Sequence, residues 1–402
     1  MKKKIGLFLE YAQSGGGTLQ YNQIMLDAVA ALPRDRFSVV VAYVSDVWVE
    51  YLKVYDVKAV LVPRGFLGRA LGLGWSLLDL PMGLWRKICP LFHPMAKALL
   101  REQCDLWIFP SQDARGFQFP VPALVSIHDL MHRYERRFPE SSSKWEYLNR
   151  ERTYTNICRW AKGVLVDSEI GRQQVIESYG MSPERIHVLH YIAPKYMLSG
   201  QASSGFDGRY RLPAKFIFYP ARFWAHKNHR NLISAMAKLK DDIPDLKLVL
   251  AGTRSHKYDS YESVMKQGRD LGLAEAVFPL GYVPDEDMPE LYRRARALVM
   301  PTYYGPTNIP PLEAFVVGCP VAVSGVYGMP EQMGDAALLF NPDSVDEIAD
   351  CIRKLWTDDR LCAELAEKGK RRAANWGPRQ FNERLAEIIY LIISEDGRNR
   401  TE

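Results

Sequence analysis

Four stretches of the chain carry residue types whose spacing suits a phosphorylated, hydroxyl-rich ligand. In YPARFWAHKNHRNLISA, Arg222 and Lys227 follow an apolar run that reads as a buried strand and precede a helix expected to begin at Asn228. Two cations placed there can meet one diphosphate. Each charge-assisted hydrogen bond is worth roughly 1.5–3 kcal/mol, and its value grows as negative charge builds on a departing phosphate. In PTYYGPTNIPPLEAFVVGCPVAVS, a Pro- and Gly-rich loop leads into a short helix that Pro310 or Pro311 can start. The amides of residues 308–312 are expected to face an oxygen-rich ligand, and Glu313, one turn in, can accept from hydroxyls such as a ribose diol. A glutamate in a first helical turn also serves the helix dipole.

Two further stretches lie nearer the amino terminus. Gly15, Gly16 and Gly17 follow the apolar run IGLFL, where bare backbone can approach a phosphate and the following helix adds its positive end. His128 in SIHDLMH also follows a strand pattern, so its imidazole is placed either to donate to a sugar hydroxyl or carbonyl or to satisfy a turn. Ser168 in LVDSE has the place of a helix cap, with a weaker ligand role.

These residues need a scaffold of strands that end together. IGLFL, FSVVVAYV, VKAVLVP, DLWIFP, ALVSIHD, GVLVDS and RIHVLH read as strands, and helical patterns such as SKWEYLNRERTYTNICRW and EIGRQQVIESYG separate some of them. Such alternation predicts a parallel α/β sheet. A Gly- and Ser-rich stretch, residues 196–213, is expected to link this first domain (1–195) to a second α/β series (214–377). KFIFYP, LKLVLAG, AVFPLG, RALVMP and CPVAVS are the strands of that series. A last helical segment, 378–402, is long enough to cross back onto the first domain.

Composition narrows the functions available. The 402 residues carry a formal charge of +5, which permits an anionic ligand but not a dedicated nucleic-acid surface. Six cysteines without a CxxC pair, and histidines without HExxH spacing, give no metal site. The apolar run after the amino-terminal lysines is too short for a signal peptide, so a cytoplasmic location is expected. The stretch Ala70–Trp85 contains Asp79 and Pro81 and falls short of a membrane span. Residues 64–102 interleave Trp75, Trp85, Leu and Phe with Arg and Lys. That pattern suits either peripheral contact with the inner face of a membrane or a helical insertion packed on its own domain.

Taken in order, NIPPLEAFVVGCPVAVS, YPARFWAHKN, the SGGG loop, FPLGYVPDEDMPELYRRARALVMPT and SIHD resemble the retaining glycosyltransferases of family 4 over nearly the whole chain. The resemblance implies a GT-B fold of two Rossmann-like domains facing a cleft, and a nucleoside diphosphate sugar as donor, a UDP-sugar first and a GDP-sugar next. It implies no metal, and a glycan or lipid-linked acceptor. Gly16 and Gly17 then correspond to the loop at the donor phosphates, Arg222 and Lys227 to the pair neutralising the departing diphosphate, and His128 to the histidine near the transferred sugar. Glu313 corresponds to the ribose-binding glutamate. Asn308, Ile309, Pro310, Pro311 and Leu312 lie in the stretch that meets sugar and phosphate, and Tyr282 and Val283 fall where backbone receives the base.

One departure stands out. The family places a second glutamate eight positions before Glu313, where this chain has Gly305. That glutamate's implied role is contact with the transferred sugar, so sugar recognition is the property most altered, with Asn308 a candidate to recover part of the hydrogen bonding. The implied chemistry is front-face transfer, in which the acceptor hydroxyl attacks as the carbon–phosphate oxygen bond opens. A phosphorylase or epimerase on the same scaffold, and a glycan-binding protein without catalysis, are the rival readings.

Overall fold

The computed structural model describes residues 2–10, 16–63, 70–72, 74–75, 80–198, 203–254 and 258–398. The chain divides into two compact units, one of residues 1–128, 148–190 and 378–402, the other of residues 129–147 and 191–377.

The first unit is built on seven parallel strands: β1 (Lys3–Leu9), β2 (Phe37–Tyr43), β3 (Lys58–Leu61), β4 (Leu106–Phe109), β5 (Ala123–Ser126), β6 (Gly163–Val166) and β7 (Ile186–Val188), in the order β3-β2-β1-β4-β5-β6-β7. The inner strands β4, β5 and β6 are buried at every position, as a sheet covered on both faces requires. The final helix, Pro378–Arg398, belongs to this unit and packs against the helix Gly17–Ala30. Its Phe381, Leu385, Ile388 and Ile389 recur at three- and four-residue spacing and are all fully buried, so one apolar stripe drives the docking.

The second unit holds six parallel strands: β8 (Ile217–Pro220), β9 (Leu248–Ala251), β10 (Val277–Gly281), β11 (Ala297–Met300), β12 (Val321–Ser324) and β13 (Leu338–Phe340), in the order β10-β9-β8-β11-β12-β13. Each unit is Rossmann-like, a parallel sheet with helices on its faces. The strand β13 is three residues long and half-covered, too short to register as a pattern in the sequence.

Two expectations change. The stretch 196–213 is not a plain linker: Phe206 is buried in the second unit's core, and Tyr210 and Arg209 hold the buried Asp287 at 2.6 and 3.0 Å. Gly205, at φ 76°, caps the short helix Phe206–Tyr210 that carries these residues. In the segment 64–102, residues 64–69, 73 and 76–79 lie outside the described residues. Trp85, placed by the sequence pattern either at a membrane face or packed on its own domain, is only 2% exposed and packs edge-on against Phe92 and beside Trp75. Arg86 is likewise committed inward, donating to the carbonyls of Phe117 and Phe119. The apolar side chains that this segment does expose include Leu84 and Leu91.

Candidate functional site

In the second sheet, β8 lies beside β11 and the strand order runs outward in both directions from that pair. Open α/β sheets take their ligands beyond the carboxyl ends of strands at such a switch point. The loops that leave β8 and β11 carry most of the residues singled out in the sequence.

After β8, Arg222 lies over the Trp224 ring at 5.6 Å. Residues Ala225–Lys227 then form a tight turn, closed by Asn228 at φ 59°, a left-handed conformation that asparagine tolerates. The Asn228 amide donates at 2.9 Å to the carbonyls of both Pro301 and Pro342, and Tyr303 N–H donates to His226 O at 2.8 Å, so the turn is tied to the loop after β11. Tyr219 Oη donates to Lys227 O at 2.8 Å. Burial brings the Lys227 ammonium down to about 8; Asp129 and Glu140 oppose that shift, and Arg222 adds to it. A cation held in this state gains when an anion arrives.

The approach of this loop to its neighbour depends on Gly252, just past β9. A Cβ there would lie 2.1 Å from Ala221 O, so only glycine lets the Arg222 backbone pass. After β10, Gly281 takes φ +72°, Tyr282 is exposed and Val283 buried.

After β11, the helix begins at Pro310, as its residues dictate. The expectation of open amides along 308–312 is only partly met. Asn308 N–H donates to Gln332 Oε1 at 3.0 Å and Gln332 Nε2 returns a bond to Asn308 O at 2.8 Å. Leu312 N–H bonds Ile309 O at 2.9 Å. Pro310 and Pro311 have no N–H to offer. Ile309 is left as the amide of this stretch best placed for a ligand.

Glu313 is 2% exposed, and each carboxylate oxygen accepts a tyrosine hydroxyl at 2.6 Å, from Tyr196 on one side and Tyr292 on the other. Burial raises its carboxyl above the usual range; the two phenols pull it back, and Asp285 adds to the rise. Its environment already selects hydroxyls as partners. Gly305 sits at φ +123°, and a Cβ there would lie 2.7 Å from Asn308 Nδ2 and 2.8 Å from Oδ1. The Asn308 amide therefore fills the space that a side chain at 305 would enter.

The glycosyl transferases group 1 family model matches residues 207–372. O-antigen chain mannosyltransferase B of Escherichia coli is 30% identical over 279 residues, covering 67% of this chain and 70% of that protein. This chain belongs to the glycosyl transferases group 1 family. Mannosylfructose-phosphate synthase of Agrobacterium fabrum is 24% identical, over 63% of this chain and 60% of its own length. The fold of the transferase matches Anabaena HepE in complex with UDP-glucose at a TM-score of 0.71 and 19% identity, covering 96% of this chain and 99% of that one. Both units thus have the GT-B type of Rossmann-like sheet.

In the first unit of the transferase, Gly16 caps the helix Gly17–Ala30 at φ 112°, open to glycine alone, and its carbonyl accepts from Leu19 and Gln20. Gly15 lies outside the described residues. His128 Nε2 lies 2.9 Å from Pro110 O, with the ring edge-on to Tyr21 at 4.8 Å. A carbonyl only accepts, so Nε2 carries the proton and donates to Pro110 O, and in the neutral ring Nδ1 is an acceptor. Ser168 caps its helix, accepting from Gly171 N at 3.1 Å.

Sequence reasoning missed Tyr196, Tyr292, Gly252, Glu140 and the Glu10–Arg115–Asp113 cluster, in which Arg115 Nη1 reaches the two carboxylates at 2.6 and 2.7 Å. Tyr292 lies within the stretch FPLGYVPDEDMPELYRRARALVMPT, but nothing local in that stretch marks it as a partner of Glu313. Among the described residues no group of three or more His, Cys, Asp or Glu side chains is arranged to hold a metal ion, and no helix is long and apolar enough to cross a membrane.

Proposed function

We propose that this transferase is a retaining enzyme of family 4 that moves a hexose, mannose first, from a nucleoside diphosphate sugar to a hydroxyl of a glycan or lipid-linked acceptor. The observation that carries the reading is the cationic turn after β8, where Arg222 and a half-buried Lys227 stand at the sheet's switch point. The mannosyltransferase relative supports mannose as the sugar. A UDP-sugar, of the kind bound by the Anabaena neighbour, is the first donor and a GDP-sugar the second. The site of action is the cytoplasm, at the inner face of the membrane, with the exposed Leu84 and Leu91 as candidate contacts.

In this reading the C1–O bond to the diphosphate breaks with its electron pair on the phosphate oxygen. The acceptor oxygen forms the new C1–O bond on the same face, and the phosphate takes the hydroxyl proton. Arg222 and Lys227 neutralise the charge that grows on the leaving group. No carboxylate nucleophile is needed, unlike a retaining glycosidase with two carboxyls about 5 Å apart. Glu313 holds the ribose, the backbone at Tyr282 and Val283 the base, and the Ile309 amide a donor oxygen. Gly16 and Gly17 offer amides to phosphate, and His128 accepts from the transferred sugar through Nδ1.

A thermal-shift series with UDP, GDP, ADP and their sugars tests this directly, because a ligand that prefers the folded state raises its melting temperature by mass action. One base is expected to give a selective shift, and its mannose conjugate to release the nucleoside diphosphate in the presence of acceptor. No shift with any of the three removes the nucleotide site. Binding without transfer to a broad acceptor panel selects the non-catalytic reading that Gly305 raises.

A further inference from the structure

We propose that Glu140 is a positioning residue for the donor diphosphate, fixing the turn Ala225–Lys227 and setting a carboxylate against the cation that the turn presents. The proposal rests on the reading of Lys227 as a diphosphate ligand.

Glu140 comes from the segment 129–147, which runs from just past the end of β5 into the first turn of the helix Lys144–Trp160 and belongs to the second unit. Its Oε1 accepts from both the backbone N–H and the Nδ1–H of His226, at 2.9 and 2.5 Å. Both groups belong to the residue immediately before Lys227. The carboxylate is more than nine-tenths buried, and its second oxygen has no hydrogen-bond partner among the described residues. A buried carboxylate with one oxygen unsatisfied is costly, and such a cost persists where the charge serves a purpose.

The rest of the segment is held as firmly. Leu130 N–H donates to Tyr304 Oη at 2.7 Å, Tyr327 Oη to Glu135 at 2.7 Å, and Arg137 lies over the Tyr303 ring at 4.3 Å. Met131, Phe138 and Tyr304 form a small apolar cluster against Ala225 and Tyr303. The segment therefore braces the loops after β8 and β11 together, with Glu140 bonded to the residue immediately before the lysine.

The charges around Lys227 come from every element packed on it. Asp129 and Glu140 favour its ammonium and Arg222 opposes it, while burial keeps His226 low and takes His229 down to about 3, so both rings are neutral. Burial pushes the Glu140 carboxyl up, but the bonds from His226 outweigh that and hold it below the usual range, so its charge is present throughout the neutral and alkaline range. Removing that charge must lower the Lys227 ammonium further.

The test measures binding of UDP and of GDP between pH 6 and 10 in the full chain, with wild type, Glu140→Gln, Glu140→Asp, Lys227→Arg and the Glu140→Gln/Lys227→Arg double variant. Glutamine can still accept from both His226 donors but carries no charge. Wild-type affinity is expected to fall above pH 8, and in Glu140→Gln this fall moves to lower pH. The loss at pH 8 is then about three- to tenfold, with little change at pH 6. Glu140→Asp keeps the fall near its wild-type pH but weakens binding at every pH, because the shorter side chain no longer holds the turn. With Lys227→Arg the alkaline fall disappears, and adding Glu140→Gln does not restore it. An unmoved fall in Glu140→Gln, or an equal movement in the Lys227→Arg background, overturns the role of Glu140. If instead Lys227→Arg binds with the wild-type pH profile, the diphosphate reading of Lys227 fails. Should Glu140→Gln not fold, the Glu140→Asp profile decides the matter: weaker binding at every pH supports the proposal, and wild-type binding at every pH overturns it.

Discussion

Lys227 and Glu313 are two ionisable groups of the second unit's strand-end loops, and their surroundings are built on opposite plans. Lys227 is tuned by charge: two carboxylates, Asp129 and Glu140, set against the cost of burial and the nearby Arg222. Glu313 is tuned by neutral hydroxyls, one from Tyr196 and one from Tyr292, each at 2.6 Å. A cation poised near its titration point responds strongly to an arriving anion. A buried carboxylate already bonded to phenols can exchange one hydroxyl for another at little electrostatic cost. The first arrangement suits a group that meets a charge growing during the reaction, the second a group that recognises a fixed diol.

The largest effect expected on this contrast is at Lys227. Replacing it by alanine removes stabilisation of the departing diphosphate and should reduce kcat about 10²–10³-fold, the range seen when one preorganised donor is lost from a site of developing charge. The melting temperature should change little, because the deletion also removes the burial cost of the ammonium. Steady-state rates measured beside thermal unfolding separate the two. A full loss of activity matched by a full loss of folding would make Lys227 structural and erase the contrast with Glu313.

Glu313 should show the reverse balance. Glu313→Ala strands the buried Tyr292 phenol, at a cost of about 1–3 kcal/mol, and takes one partner from the half-buried Tyr196, so stability falls along with nucleotide affinity. Tyr196→Phe removes only one donor, and it sharpens the question: where ribose and the Tyr196 hydroxyl compete for Oε1, this variant binds nucleotide more tightly, by up to about tenfold. Comparing a ribonucleotide with its 2′-deoxy form checks the assignment, since the preference for ribose should collapse in Glu313→Ala and persist in Tyr196→Phe. An unchanged preference in Glu313→Ala would place the ribose elsewhere.

Much of the architecture was legible because strands buried on both faces are continuous apolar runs and helices carry a three-to-four-residue stripe. Eleven of the thirteen strands lie within such runs read as strands beyond the opening IGLFL, and Asn228, Pro310 and Ser168 stand at the helix starts that their chemistry favours. The site was half legible. Arg222, Lys227 and Glu313 were visible as charges at strand and helix ends, but the groups that tune them come from far along the chain. Glu140 is 86 residues from His226 and Tyr196 is 117 from Glu313, and no local pattern reports a pairing at that separation. The amides of 308–312 misled for a related reason: Gln332, 24 residues on, occupies Asn308 at both its N–H and its C=O.

The smallest effect is on stability against pH, and it separates the two groups by sign. The Lys227 ammonium has been lowered from the usual lysine range to about 8, so between that pH and the unfolded lysine value near 10.5 the unfolded chain holds more protons than the folded one. Stability contributed by this residue must therefore rise with pH across that window, and the penalty is present in full below it. Glu313 has been raised, so just above the usual carboxylate range it is the folded chain that holds the extra proton, and its contribution falls as pH rises through that interval. Chemical denaturation of wild type against Lys227→Met at pH 7 and pH 10 measures the first. The variant's stability relative to wild type should decrease as pH increases. A difference that stays constant, or grows, would mean that the lysine is not held below its ordinary value, and the charge-tuned half of the comparison would lose its physical basis.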